Sequence, residues 1–206
     1  MLTIALSKGY LLDTALKLFK KIGLHFPAAD ISRKLEFMDS TGEYRFLIVR
    51  PVDVPVYVEY GTADLGIAGK DILLEGRHKV TELLDLKFGF CRLVLAARRG
   101  AYRQDTLPTG LRVATKFSNS AAAYFQKLDL DVELIKLYGS VELAPVDGLS
   151  DVIIDLVATG RTLKENGLEV LDEIYQSTAR LIANRVKAKS RYREIMALAK
   201  KIKRVA

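Results

Sequence analysis

Cysteine is almost missing from this sequence: Cys91 is the only one in 206 residues, which excludes an intramolecular disulfide framework. Histidine is nearly as scarce. His25 and His78 are the only two, and they suggest neither a catalytic triad nor a metal cluster. No apolar run approaches the length of a membrane helix, so no membrane association is expected. The opening MLTIALSKGYLL has too short an apolar run, and no cleavage region, for a signal peptide. The chain is therefore expected to be cytoplasmic. It shows no internal repeat, no low-complexity segment and no long linker. Acidic residues are the minority, 25 against 32 Lys and Arg, for a net charge of +7. Such an excess suits nucleic acid, an acidic partner or small polyanionic substrates. Much of it lies in the tail RVKAKSRYREIMALAKKIKRVA, which reads as a solvated helix face. Aromatic residues are not interleaved with the basic ones as on a single-strand binding platform, so nucleic acid is not expected.

What is present is a well-patterned globular chain, long enough for one large or two small domains. Strand-like and helix-like runs alternate, the α/β signature. LTIAL, YRFLIVR and Leu65 to Ala68 read as strands. Between the first two, Leu11, Ala15, Leu18, Phe19 and Ile22 fall at helical spacing, with Gly23 near the end. A short helix is expected from Asp53, as N-cap, to Gly61. A second series starts near Gly89. FCRLVLAAR, LRVAT, VELIKL, DVIIDLV, LEVLDEIYQS and ARLIAN read as strands, and SNSAAAYFQKL as a helix capped by Ser118 or Asn119. The last helix carries Tyr192, Ile195, Leu198, Ala199 and Ile202 on one stripe and is expected to return to the first series. The reading is two α/β lobes with a cleft between them: residues 1–88 plus 179–206 form a discontinuous first lobe, and 89–178 a second.

The stretch DVIIDLVATGRTL, Asp151 to Leu163, begins as a buried strand and ends in a polar turn where a helix would start. A chain entering a helix exposes unpaired backbone N–H groups that attract phosphate. Gly160 allows close backbone approach, Thr159 and Thr162 offer hydroxyl donors, and Arg161 adds charge. Asp155, at the carboxyl end of the strand, would repel phosphate but accept hydrogen bonds from ribose hydroxyls or meet a metal. Phosphate in the turn with sugar over the carboxylate describes a ribose-5-phosphate site. A Thr-capped helix with Asp155 as a structural acceptor is the competing reading of the turn by itself.

The longer stretch GSVELAPVDGLSDVIIDLVATGRTL resembles the signature of the ATP phosphoribosyltransferases of histidine biosynthesis. Glu142, Gly148, Ser150, Ile153, Asp155, Thr159, Gly160, Thr162 and Leu163 match its pattern at fixed spacing. LTIALSKGYLL, ISRKLEF, IVRPVDVPVYVEYGTADLGIAGKDILLE, ELLDLKFG and NGLEVLDEI are also similar to that family, so the resemblance spans nearly the whole chain. After the Lys-Gly pair the family commonly has Arg, where this sequence has Tyr10. The resemblance implies two lobes of periplasmic-binding-protein type. It also implies the short form, which lacks a C-terminal regulatory domain and requires a histidyl-tRNA-synthetase-like regulatory subunit; a homo-oligomer, a dimer, is expected.

The implied reaction joins ATP to phosphoribosyl pyrophosphate (PRPP), with adenine N1 attacking the anomeric carbon as pyrophosphate leaves. N1 is already nucleophilic, so the scarcity of histidine is no obstacle. Positioning and electrostatics are expected to carry catalysis, with Mg²⁺ on the pyrophosphate. By resemblance, Arg33 and Arg50 clamp the pyrophosphate and Lys8 reaches a phosphate. Glu142, Asp151, Asp155, Thr159, Gly160, Arg161 and Thr162 bind PRPP, with Glu142 or Asp155 placed to help hold magnesium. LDLK, Leu84 to Lys87, is a guess for the adenine contact. A solute-binding protein without catalysis is the main alternative. A salvage phosphoribosyltransferase would show two adjacent acids before the Thr-Gly turn, whereas Asp155 is followed by Leu156.

Overall fold

The computed structural model describes residues 1–26 and 34–205. The chain divides into two compact units, Met1–Gly89 with Thr178–Ala206 and Phe90–Ser177. No helix among the described residues is long and apolar enough to cross a membrane.

The first unit is built on a six-stranded sheet in the order β2-β3-β1-β4-β11-β5. Its strands are β1 (Leu2–Ser7), β2 (Glu36–Met38), β3 (Tyr44–Val49), β4 (Leu65–Gly69), β5 (Val80–Asp85) and β11 (Ala179–Asn184). β1 runs parallel to β3 and β4, whereas β11 is antiparallel to β4 and β5. Alternation along β1 sorts its side chains between two cores. Leu2, Ile4 and Leu6 pack with α1 (Tyr10–Lys21) and α8 (Tyr192–Lys203), and Ala5 packs with α2 (Val54–Glu59). Gly66 is required on the α2 side, because a Cβ there would come within 2.8 Å of Val58 and 2.9 Å of Val54. α3 (Lys70–Gly76) follows β4.

The second unit has a five-stranded sheet in the order β10-β6-β9-β7-β8. Its strands are β6 (Cys91–Arg98), β7 (Leu111–Thr115), β8 (Val132–Lys136), β9 (Val152–Val157) and β10 (Leu168–Ser177). β7, β8 and β9 are parallel, and β6 is antiparallel to β9 and β10. α4 (Ser118–Lys127) covers one face through Ala121, Tyr124 and Phe125. The short helices α5 (Leu143–Val146) and α6 (Arg161–Glu165) cover the other through Ala144 and Leu163. α7 (Lys187–Ser190) precedes α8.

The mixed α/β architecture expected from the alternation of elements is therefore present, with differences at helix starts. Asp53 holds the N-cap position of α2 as expected, but its side chain makes no cap bond, and a 3-10 turn over Pro51–Asp53 leads into the helix. Proline's fixed φ starts the turn early. Neither Ser118 nor Asn119 caps α4; Thr115 does the local work instead, its Oγ1 accepting the Phe117 N–H at 2.8 Å. In α8, Ile195, Leu198, Ala199 and Ile202 are buried, but Tyr192 is 60% exposed at the first position of the helix. Strands β2 and β5 lack a clean alternating pattern and were not legible.

Candidate functional site

The turn after β9 and the segment before it enclose a hollow of about 290 Å³, lined by Lys116, Ser140, Glu142, Asp155 and the run Leu156–Leu163. It lies wholly within the second unit. β9 is a central strand whose side chains alternate between the two cores. Val152 and Ile154 face α4, while Ile153 and Val157 face α5 and α6. Asp155 falls on the second face, between those two apolar residues, and joins Glu142 in the hollow's wall. Burial pushes its carboxyl above the usual carboxylate range, and Glu142 pushes it the same way. The Leu156 N–H and the Lys116 ammonium pull against them. Two carboxylates that feel each other in a partly dry site will hold a cation or accept hydroxyl hydrogen bonds more readily than either would alone in water.

The run Leu156–Leu163 lines the hollow from one turn. Gly160 has φ +78° and ψ 2°, the left-handed region where glycine is favoured. From that position the chain turns into α6, whose first backbone bond is Lys164 N–H to Gly160 O at 3.1 Å. The N–H groups of Gly160, Thr162 and Leu163 meet no acceptor among the described residues, and that of Arg161 has only a long 3.4 Å contact with Thr159 Oγ1. Amides and hydroxyls converging on one turn are donors without acceptors, the complement of a phosphate. Arg161 contributes through its backbone. Its guanidinium turns outward to Glu165 at 2.7 Å in a surface pair, which contributes little to stability.

Of the residues named from the sequence, Glu142, Asp155, Thr159, Gly160, Arg161 and Thr162 therefore share one hollow. Asp151 does not. It precedes β9 at the strand's other end, where Oδ2 accepts the Arg112 backbone N–H at 2.8 Å and Oδ1 accepts Nη2 at 3.0 Å. The Arg112 guanidinium holds its carboxyl below the usual carboxylate range. Lys8 and Arg50 belong to the first unit. They follow the last paired residues of the parallel strands β1 and β3, and Lys8 N–H donates to Val49 O at 2.8 Å. Both are exposed, and among the described residues neither is ion-paired. Arg33 lies outside the described residues. The LDLK guess falls on structural groups: Leu86 is buried, and Asp85 accepts from Lys87 and Thr178.

The sequence reading missed two lining residues. Lys116 stands level with Asp155 because Thr115 is in register with Ile154. The signal was a lysine directly after the buried run LRVAT. Ser140 has φ +47°, an uncommon conformation for a residue with a Cβ, and nothing in the sequence marked it. Among the described residues no group of three or more His, Cys, Asp or Glu could hold a metal ion. The pair Glu142 and Asp155 suits an ion carried mainly by substrate phosphates and water, as Mg²⁺ usually is.

Residues 50–204 match the family described as HisG: ATP phosphoribosyltransferase. The chain is 51% identical over 206 residues to an ATP phosphoribosyltransferase of Caldanaerobacter subterraneus subsp. tengcongensis, covering 100% of this chain and 97% of the relative. It superposes with a TM-score of 0.86 and 35% identity on a chain of the ATP phosphoribosyl transferase (HisG:HisZ) complex from Thermotoga maritima, covering 100% of this chain and 98% of that one. The periplasmic aliphatic sulphonate binding protein SsuA from Escherichia coli gives a TM-score of 0.62 at 16% identity, covering 99% and 72%. At that identity the likeness is one of fold.

Proposed function

The chain belongs to the ATP phosphoribosyltransferase family, and on that premise we propose how its own residues perform the reaction. The enzyme joins N1 of ATP's adenine to the anomeric carbon of PRPP and releases pyrophosphate, the first step of histidine biosynthesis. The solute-binding alternative rests on fold alone.

The observation that carries the site assignment is the juxtaposition of the Ala158–Leu163 turn with Asp155 in one hollow. In this reading the 5-phosphate of PRPP takes the free N–H groups of Gly160, Thr162 and Leu163 and the hydroxyls of Thr159 and Thr162. Each charge-assisted bond contributes roughly 1.5–3 kcal/mol. Asp155 accepts from the ribose hydroxyls, and its charge keeps phosphate out of the sugar subsite. Lys116 offsets part of the carboxylate charge. Glu142 faces the same space, and Asp151 acts at a distance.

Adenine N1 carries its own lone pair, so this chain needs to supply no base. Its task is to hold C1 of the ribose in line between N1 and the leaving oxygen. Lys8, Arg33 and Arg50 are assigned to the departing pyrophosphate, because family resemblance places cations there and Lys8 and Arg50 emerge side by side from the carboxyl ends of parallel strands. When bound, Mg²⁺ would neutralise pyrophosphate charge, with Glu142 and Asp155 as the protein groups placed to hold it.

The near-complete overlap with one chain of the Thermotoga maritima complex supports the reading of a short-form catalytic subunit. Such a subunit works with a histidyl-tRNA-synthetase-like regulatory partner, in the cytoplasm and as a homodimeric or larger assembly. The test is product formation from Mg²⁺, PRPP and each purine nucleotide, read by mass spectrometry with pyrophosphatase present. A phosphoribosyl-ATP adduct that disappears in Thr162→Ala and Asp155→Ala supports reaction and site together. An adduct undiminished in both variants would remove the turn from the site.

A further inference from the structure

Glu142 reaches the hollow from a loop whose position is set from the opposite end of the sheet. The segment from Ser140 to Ser150 is a compact piece held by its own backbone bonds: Ala144 O accepts from Leu149 at 2.8 Å and from Ser150 at 3.2 Å, and Asp147 N–H donates to Leu143 O at 3.0 Å. Val141 and Ala144 are buried in the core beneath it, which fixes its depth but not its sliding along the sheet, since apolar contact is non-directional. Directional bonds come from two arginines on the sheet. Arg98, the last residue of β6, donates from Nε to Pro145 O at 2.6 Å and from Nη2 to Val146 O. Arg112, on β7, donates from Nη1 to Gly148 O at 3.0 Å. Pro145 and Val146 end α5, the helix that follows its N-cap Glu142, and Gly148 lies two residues beyond its end.

Arg112 is itself held. Asp151 takes its Nε at 3.3 Å and its Nη2 at 3.0 Å, and also takes its backbone N–H at 2.8 Å. A two-point carboxylate bond fixes the plane of a guanidinium, which leaves Nη1 aimed at Gly148. Asp151 lies four residues before Asp155, about 13 Å along an extended strand, and is not among the residues lining the hollow. Its oxygens are engaged with Arg112.

We infer that Asp151 and Arg112, together with Arg98, are positioning residues that hold the Ser140–Ser150 segment so that Glu142 faces the hollow. They act on PRPP through Glu142 and touch no substrate. The inference rests on the proposed reading of the hollow as the PRPP site.

The test is a set of double-mutant cycles read by calorimetric PRPP and ATP binding. Asp151→Asn and Arg112→Met are each expected to weaken PRPP about tenfold, the scale of one charge-assisted bond, with ATP affinity unchanged. In a Glu142→Gln background both effects should vanish, and Arg112→Lys, which keeps the charge but loses the two-point bond, should weaken PRPP nearly as much as Arg112→Met. A penalty that persists at full size in Glu142→Gln would overturn the inference, because general loosening does not depend on Glu142. So would a further loss on adding Asp151→Asn to Arg112→Met, which would make Asp151 a direct ligand. If Arg112→Met does not fold, the Asp151→Asn cycle decides alone. Thr162→Ala serves as the control: if it weakens PRPP while Glu142→Gln does not, the inference fails and the pocket stands. If neither weakens it, the pocket reading itself fails.

Discussion

Thr115 and Ile154 are joined by a buried hydrogen bond, Thr115 Oγ1 to the Ile154 carbonyl at 2.7 Å. The same oxygen accepts the Phe117 N–H at 2.8 Å. One hydroxyl thus ties the end of β7 to β9, one residue before Asp155, and starts α4. Lys116 is carried between the two bonds and presented to the hollow.

Thr115→Val keeps the shape and deletes both bonds, leaving the Phe117 N–H without its acceptor inside the protein. The expected cost is about 1–3 kcal/mol of stability, read as a lower urea midpoint at unchanged slope. PRPP affinity should fall as well, since Lys116 loses its fixed register. A midpoint equal to wild type would show that the backbone finds other partners.

Asp155→Asn should stabilise the protein without ligand while abolishing most PRPP binding. Burial raises this carboxyl's folded pKa above its ordinary value of 3.8. Folded and unfolded states are then equally protonated below the unfolded pKa, and wild type loses stability as pH rises through the folded pKa. The variant escapes that loss. Melting temperatures should therefore favour Asp155→Asn near neutrality and converge in acid. A variant less stable than wild type at neutral pH would mean the carboxylate is held by partners rather than strained by burial.

Gly160→Ala separates backbone from hydroxyl in the turn. The space is adequate, because the added Cβ would meet Val157 at 3.8 Å. The cost is the left-handed backbone, roughly 1–2 kcal/mol. Relaxation of φ would swing the neighbouring amides away from the phosphate. Thr162→Ala, which leaves the backbone alone, should weaken PRPP by roughly 1–3 kcal/mol with no change in melting temperature. An unchanged PRPP dissociation constant in Thr162→Ala would take that hydroxyl out of the cradle.

Arg50→Ala should lower turnover by about one to three orders of magnitude with a smaller loss of PRPP affinity, because charge on the leaving pyrophosphate develops in the transition state. Single-turnover and binding measurements on the same variant separate the two. Intact turnover with weakened binding would make Arg50 a ground-state contact.

Much of this was legible in the residues themselves. LRVAT, LEVLDEIYQS and ARLIAN coincide with β7, β10 and β11 to the residue, because β-branched and apolar residues bounded by turn formers report a local preference. Six of the named site residues came from one contiguous signature and share one hollow: a single strand-turn-helix arranges Asp155, Thr159, Gly160, Arg161 and Thr162, and Glu142 joins them from the start of α5. Lys116 was missed because the strand that it stands beside is distant in sequence.

Side-chain pattern was enough to set the α/β class, the strand that carries Asp155 and the donor-rich turn that follows it. All are short-range consequences of side-chain pattern and of glycine at position 160. Which charges meet depends on long-range packing. Asp151 and Asp155 are the two acids of DVIID, four residues apart. Folding gives Asp151 to Arg112 at one end of β9 and sets Asp155 with Glu142 and Lys116 at the other. A carboxylate's role is fixed by its burial and by the charges around it, and both are set by strands and loops remote in the chain.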